Sequence, residues 1–584
     1  MPEKIVKQHY IALVKLLKNY RTSPLDKNLL NATLHFCKNL YGAANTHPDL
    51  IFAQPHLNKT QLPFIVNITF NSVVLTCLLA VRNKFDPSVT IQLMCGSLSI
   101  YALEQSSIEK HYQTHEENKK SSTIKIGRKN TSFVQLLKAN QQQVWLPSYL
   151  LCTYTHISQY PRSSLTTPIT ALAYFANNLA LLCTPNKQKQ SISFANAIKS
   201  LTLKCCPKWY ALLIPLLDYP SVSPIGSYVR LHNGSIHIVL ALSCNGLVTK
   251  PLPIKQSPID QLDAHIQFTE AAQVIQSYPC QQLNRFARLS RWWGDELMEW
   301  LSSNKDHGQK LAFDLILPIQ NAPASLMVIQ DQLNHINADT AIIVKAIEKE
   351  PDHAHHLQLA ASNSNRKKQP VQNIQHGLAM LGFERTNSIL LQHSLLSRLN
   401  QQYFPLQQTL LTFSQFFVFI VGQLATITKL VSPELAHTTT YFVLSRLFTL
   451  PTIRALNHLE MSTGPKFRLA SLIKIKETKN LKKDGFLLAK SWLQNKQTLE
   501  VLQHYDLVLP TQQKKNASSQ YCYLVGLGLI LARKHYFSDT TYCEETEHYF
   551  NAGLNELGLT QSKVVNMMTD ITSSANVFCP LDRT

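Results

Sequence analysis

Glycine is scarce in this chain, with 17 residues among 584, about 3% where soluble proteins average ~7%. Many-turned all-β folds, collagen-like repeats and flexible linkers all consume glycine, so helices are the expected elements. The length suits about three or four ordinary domains and can bury sizeable cores without disulfides or metals. Lys and Arg total 56 against 36 Asp and Glu, a net charge of +20, yet charged residues make up only 16%. The usual share is about 25%, so the basic excess reflects scarce acid rather than abundant base.

Twelve cysteines are scattered from Cys37 to Cys579, and no C-x-x-C pair occurs. Disulfide scaffolds and zinc ribbons need dense or paired spacing, so buried free thiols in a reducing cytoplasm are expected. Near the N-terminus Lys15 and Lys18 break the apolar pattern, so no signal peptide is expected. The longest charge-free stretch, Leu399 to Thr428, carries Gln401, Gln402, Pro405, Gln407 and Gln408. Its run Phe413–Ile427 predicts a helix inside a protein core rather than a membrane span.

Along the chain, Val73, Val74, Cys77, Leu78 and Val81 share one helical stripe. Residues 116–130, EENKKSSTIKIGRKN, read as an exposed basic loop, with helical pattern resuming near Ser132 and running to about Leu217. The period then changes to two in YVRLHNGSIHIVLAL, from Tyr228. Asn233-Gly234 in its centre tolerates positive φ and predicts a hairpin with a type I′ turn. A small β subdomain is therefore placed at 221–255, between helical domains at 1–220 and 311–575. A helical connector is expected at 256–310, pinned by Trp292, Trp293 and Trp300, and a tail at 576–584. Asp339 is an expected N-cap, and Leu391, Leu395 and Leu399 line one helix face.

No P-loop, third-glycine dinucleotide fingerprint, G-x-S-x-G elbow or H-E-x-x-H occurs. Two histidine groups stand out. His111 and His115 are spaced to share a helix face but lack a third ligand. His353, His355 and His356 follow Pro351-Asp352 and read as solvated histidines at a helix start, though His353 and His356 can approach each other.

The segment from Leu317 resembles the HDOD domain, an all-helical relative of HD-type phosphohydrolases without their catalytic motif. The matching marks are Leu317-Pro318, Glu350-Pro351-Asp352, Leu357-Gln358-Leu359-Ala360, and Ile374 before Leu381-Gly382. Ala361-Ser362 replaces the usual Asn-Ser. Later, Gly485 and Trp492 stand at typical places, and His504-Tyr505 replaces a common His-His. The likeness covers about 311–575.

Residues 60–250 resemble an eroded HD-GYP module of cyclic-di-GMP phosphodiesterases. LCTYTHISQYPRSSL keeps Ser158, Tyr160, Pro161 and Leu165, and ITALAYFANNLALL follows as the next helix. SPIGSYVRLHNG keeps Pro224, Gly226, Ser227, Val229, Leu231 and Gly234. The resemblances together imply a mainly α fold of two HD-superfamily-like bundles in tandem, with the small β-hairpin subdomain between them.

The departures bear on chemistry. An HD-type site needs adjacent His and Asp to hold metal ions that activate water. None of the 22 histidines here is followed by Asp. Cys95-Gly96 occupies the first slot. Around the GYP stretch, Cys152 and Thr153 stand near the family's His and Glu, Gln159 replaces Gly, and His156 replaces Asp; Tyr160 and Pro161 remain. Ser445-Arg446 stands near the second module's slot. No metal and no cofactor is expected, and no catalytic residue is assigned. The expected function is non-enzymatic signalling or regulation through protein partners, with a bacterial sensory network implied by the resemblance. The alternative is a nucleotide- or nucleic-acid-binding module using basic segments. These hold Lys119, Lys120, Lys125, Arg128 and Lys129, and then Lys474, Lys476, Lys479, Lys482 and Lys483. A surviving phosphodiesterase is the least supported reading.

Overall fold

The computed structural model describes residues 2–113, 128–153, 165–186, 190–205, 207–243, 246–252, 265–304, 319–334, 339–364, 369–460, 463–474, 481–508 and 517–574. The chain is mainly α and forms two compact units, Met1–Leu315 and Ile316–Thr584.

The first unit is built around the helix Phe64–Arg82. The apolar stripe expected on it proves too narrow a description, because every residue from Phe64 to Val81 is buried. Helices Pro87–Leu103 and Pro168–Cys183 pack against it. A helix enclosed all round has no solvent face, so its polar residues must find partners inside. Its neighbours start at built caps. Asp86 Oδ1 accepts from Ser88 N at 2.8 Å, and Thr167 and Thr170 form a capping box before Pro168.

The β structure of this unit is larger than the hairpin subdomain expected at 221–255. Strands β2 (Tyr228–Leu231), β3 (Ile236–Ser243), β4 (Gly246–Pro251), β5 (Gln267–Glu270) and β6 (Val274–Ser277) form an antiparallel sheet in the order β5-β4-β3-β2-β6. Strand β1 (Leu57–Lys59) pairs in parallel with β7 (Gln281–Leu283). Residues 267–283 therefore replace part of the expected helical connector. They are short and largely solvent-facing, so they carry little apolar alternation and are held by ladder hydrogen bonds.

The β2–β3 hairpin forms, with Tyr228 opposite Ile238 and Arg230 opposite Ile236. Its turn differs from the expected type I′. Gly234 alone of the pair has positive φ, at 82°, while Gly234 N donates to Leu231 O at 2.9 Å. This is a longer loop, a type I turn closed by a left-handed glycine. The side chain of Asn233 locks it by accepting from Ser235 N at 2.9 Å. Trp292 and Trp293 are buried as expected, and Trp293 Nε1 donates to Leu240 O at 2.9 Å, fixing the helix Ala287–Trp293 to the sheet.

The second unit centres on helices Gln407–Thr428, Pro433–Thr449 and Ala517–Tyr536. Leu391, Leu395 and Leu399 are all buried on the helix Phe383–Leu399, and Asp339 caps the helix Thr340–Glu348 through Ala341 N at 2.8 Å. Among the described residues, two helices, Phe64–Arg82 and Gln407–Thr428, are long and apolar enough to cross a membrane. The first is wholly buried; the second is mostly buried, with Phe419 and Ile427 exposed.

Candidate functional site

Cys95 and Gly96 lie inside the helix Pro87–Leu103, and both are buried. A Cβ on Gly96 would overlap Ser148 Cβ and come within 3.0 Å of Trp145 O, so the helix Trp145–Tyr149 lies directly across this slot. The 3₁₀ turn Leu150–Thr153 follows at once, so the backbone places Cys152 and Thr153 just beyond the segment that covers Gly96. The side chains of Cys152 and Thr153, and all of His156, Gln159, Tyr160 and Pro161, lie outside the described residues.

Among the described residues, the interior near Cys95 holds neutral polar groups. Thr76 and Ser97 hydroxyls lie 2.8 Å apart, Asn177 Nδ2 donates to Ser97 Oγ at 3.2 Å, and Ser72 Oγ donates to Asn177 Oδ1 at 2.6 Å. Separately, Trp145 Nε1 donates to Ser99 Oγ at 3.1 Å, and Ser99 Oγ donates to Cys95 O at 2.8 Å. Burial pushes the Cys95 thiol well above its ordinary pKa, reinforced by Cys37. This donor set consists of neutral hydroxyls and amides whose lone pairs already serve one another. It supplies no charge to offset the dehydration of a divalent cation.

The second slot is different. Ser445 and Arg446, from the helix Pro433–Thr449, line a cleft of about 530 Å³. Thr449 and Arg454 extend the same wall; Asp484, Leu487, Leu488 and Ser491 face it from the helix Leu481–Ser491. Residues Ile319 to Asn321 form the third side, held by Trp492 Nε1 donating to Ile319 O at 2.9 Å. Gly485 lets the two helices meet, because a Cβ there would sit 2.9 Å from Phe442 O.

Among the described residues, two guanidinium groups and one carboxylate line the cleft. Arg454, only 7% exposed, donates through Nη1 to Gln402 Oε1 at 2.9 Å and through Nε to Phe448 O, with its plane 5.4 Å from the Phe404 ring centre. Arg446 Nε lies 2.9 Å from Asp484 Oδ2, yet its N–H is not aimed at that oxygen and this buried donor has no hydrogen-bond partner. Where a dication would need ligands, this slot already carries a protein cation.

Similar chains are found among solved structures. An HDOD domain protein of unknown function from Geobacter sulfurreducens is 14% identical, covering 45% of this chain and 93% of its own, with a TM-score of 0.31. The MmoQ response regulator from Methylococcus capsulatus str. Bath is 11% identical, covering 44% and 99%, with a TM-score of 0.22. No family model and no curated protein matches the sequence.

The other sequence candidates disperse. His504 is exposed, bonded through Nδ1 to Glu500 O at 2.9 Å, and does not line the cleft. Lys119, Lys120, Lys125, Lys476 and Lys479 lie outside the described residues, as does His115. The helix Arg128–Ala139 begins at Arg128, earlier than expected, so the backbone of Arg128 and Lys129 is helical rather than loop. Lys474 and Lys483 are exposed, but Lys482 Nζ pairs with Asp506 at 2.6 Å. Lys466, next to this group in sequence, is buried against Asp539. The second basic segment is thus partly spent on internal ion pairs.

The histidines at 353–356 are not all solvated. His353 is buried and its Nε2 lies 2.8 Å from Ser394 Oγ, while Nδ1 is buried without a partner. His356 stacks on His393 with ring centres 4.0 Å apart. His393, on a distant helix, was invisible to local spacing. Asp484 and Arg454 were missed for the same reason. In the first unit the sequence also hid Lys59, 1% exposed, whose Nζ donates to Gln54 O at 3.0 Å and lies 5.1 Å from the Tyr10 ring centre. Burial lowers its pKa to about 7.

Proposed function

We propose that this chain is a non-catalytic regulatory protein, built from two degenerate HD-superfamily-like units and acting through protein partners in the cytoplasm. The observation that carries this reading is the chemistry of the two slots. Among the described residues, the first slot has Ser148 against Gly96 and neutral hydroxyls and amides nearby, and the second presents Arg446 and Arg454. Among the described residues, neither offers the paired imidazole and carboxylate that would hold metal ions and activate water. Among the described residues, no cluster of three or more His, Cys, Asp or Glu side chains is placed to hold a metal.

Protein partnership is supported by residues 203–222, where Leu203, Tyr210, Ile214, Leu217 and Val222 are all exposed. Large apolar side chains concentrated on a surface segment favour contact with another chain. The purified full-length protein should carry far less than one equivalent of Fe, Mn or Zn and should not hydrolyse cyclic-di-GMP. Stoichiometric metal together with turnover would overturn the reading. Ile214→Asp with Leu217→Asp should remove a partner that copurifies from the native cell, while leaving helicity unchanged.

A further inference from the structure

We infer that the outer stripe of residues 207–218 is a self-association surface, on which two copies of this chain pair about a two-fold axis at Ile214. The inference rests on the reading of this segment as a protein-binding surface and names the partner.

Anchoring is the first argument. Two short helices, Pro207–Tyr210 and Pro215–Asp218, are joined by turns in which each N–H reaches the carbonyl three residues back. Leu213 N donates to Tyr210 O at 2.8 Å, Leu216 N to Leu213 O at 3.1 Å and Leu217 N to Ile214 O at 2.9 Å. Such bonding brings residues three apart onto one face. Trp209, Leu213 and Leu216 are buried. The backbone is tied to its own unit as well. Trp209 Nε1 donates to Leu165 O at 2.9 Å, Asn83 Nδ2 to Leu212 O at 2.9 Å, and Arg82 Nε to Pro215 O at 3.2 Å. The outer stripe is therefore set before any partner arrives, and it loses little freedom on association.

Composition is the second. The outer face reads Lys208, Ala211, Ile214 and Leu217 at three-residue spacing, and all four are exposed. Ile214 is 48% exposed and Leu217 50%, with Tyr210 beside them at 44%. The run is thus apolar on its inner side and on most of its outer side. A short helical run with so little polar face to offer water favours a cover on the outside.

Self-complementarity is the third. Ala211 and Leu217 stand three residues before and after Ile214, and Tyr210 and Asp218 stand four before and after. Two antiparallel copies crossing at Ile214 set the methyl of Ala211 against Leu217 of the second copy. They also set the Tyr210 hydroxyl toward the Asp218 carboxylate, and the symmetry makes each contact twice. The Asp218 side chain is 83% exposed and 3.8 Å from Arg82 Nη2, so its carboxylate can accept a further donor. Lys208 lies toward the same end as Tyr210 and brings opposite charge to Asp218 of the second copy. A second copy supplies the small residue, the hydroxyl and the acid in the order this stripe requires.

Sedimentation velocity on the full-length protein across the micromolar range should show a monomer–dimer equilibrium. Ile214→Asp places two carboxylates together at the axis and should raise the dissociation constant at least about tenfold. A residue on a two-fold axis meets its own copy, so Ile214→Cys gives the positive test. Oxidised glutathione should join the two new thiols in a disulfide, itself reduced to two glutathione thiols, and yield a covalent dimer that wild type does not form. Ile11→Cys, exposed on the helix Pro2–Thr22, is the control and should not cross-link. All three variants should keep the wild-type circular dichroism. A monomer throughout, a dimer indifferent to Ile214→Asp, or equal cross-linking from Ile11→Cys would each overturn the inference. A wild-type monomer that still captures a different native protein, and loses it in Ile214→Asp with Leu217→Asp, overturns this inference and leaves the protein-partner reading standing.

Discussion

Asp539 holds two buried cations at once: Lys466 Nζ lies 2.6 Å from its Oδ1, and Arg533 Nη2 lies 3.0 Å from its Oδ2. All three side chains are at least nine-tenths buried. Arg533 is further tied to Ser471 Oγ at 2.8 Å and Ser471 O at 3.1 Å, which fixes residues 466–471 against the end of the helix Ala517–Tyr536. Asp539→Asn leaves two desolvated cations without a counter-charge. It should destabilise the protein by about 3–5 kcal/mol. Asp506→Asn removes a more exposed partner of Lys482 and should cost no more than about 1 kcal/mol. Urea midpoints of the two variants check the contrast, and equal small effects would contradict it.

Gly42 and Gly96 give opposite expectations for the same substitution. Gly42 lies inside the helix Lys27–Thr46 with nothing within 4 Å of a Cβ. Gly42→Ala should stabilise the protein by about 0.5–1 kcal/mol through helix propensity. Gly96→Ala drives a methyl into Ser148 and should cost about 1–3 kcal/mol. Thermal melts that shift in the same direction for both would refute the described packing of the helix Trp145–Tyr149.

How far the sequence could be read follows from the range of the interactions. The hairpin was legible because Asn233-Gly234 and the alternation beside it are local, though even there the choice between a type I′ turn and a bulged loop was made by Gly234 alone. Leu391, Leu395 and Leu399 were legible because one helix face repeats every four residues. Asp484 was not, because its partner Arg446 is 38 positions away and neither residue is unusual in its own helix. The edge strands at 267–283 were missed since backbone hydrogen bonds, rather than side-chain pattern, hold them. The stripe on Phe64–Arg82 was drawn too narrow because Asn67, Asn71, Ser72 and Thr76 look solvated in sequence. They are buried among partners contributed by other segments.

Lys59 makes stability depend on alkaline pH. Its pKa falls from 10.5 to about 7 in the folded chain, through burial, and among the described residues no carboxylate pairs with it. Below about pH 7 both folded and unfolded chains hold the proton, and the full cost of burying the charge is present. Between about 7 and 10.5 the unfolded chain holds a proton that the folded chain has released, so stability should rise with pH across that window. Lys59→Met should flatten the rise. Urea titrations at stepped pH measure it, and an unchanged slope in the variant would refute the assignment.

The imidazoles of His353, His356 and His393 set a dependence on acid. They join the helices Pro351–Ser364 and Phe383–Leu399, with His356 stacked on His393 and the rings of His353 and His393 6.3 Å apart. Burial lowers all three pKa values, most for His356, which falls to about 4 with added repulsion from the neighbouring histidines. Asp352 and Glu350 oppose the shift at His353 without reversing it. Because the folded chain resists protonation, the stabilisation is complete above the ordinary histidine pKa of about 6.5. It is lost as pH falls from there toward 4. His356→Leu removes the most shifted ring and should reduce that acid loss while leaving stability near pH 8 within about 1.5 kcal/mol of wild type. Chemical shifts of the imidazole carbons, followed by NMR through the same range, would show late protonation of His356. A titration near 6.5 would refute the packing described for this pair.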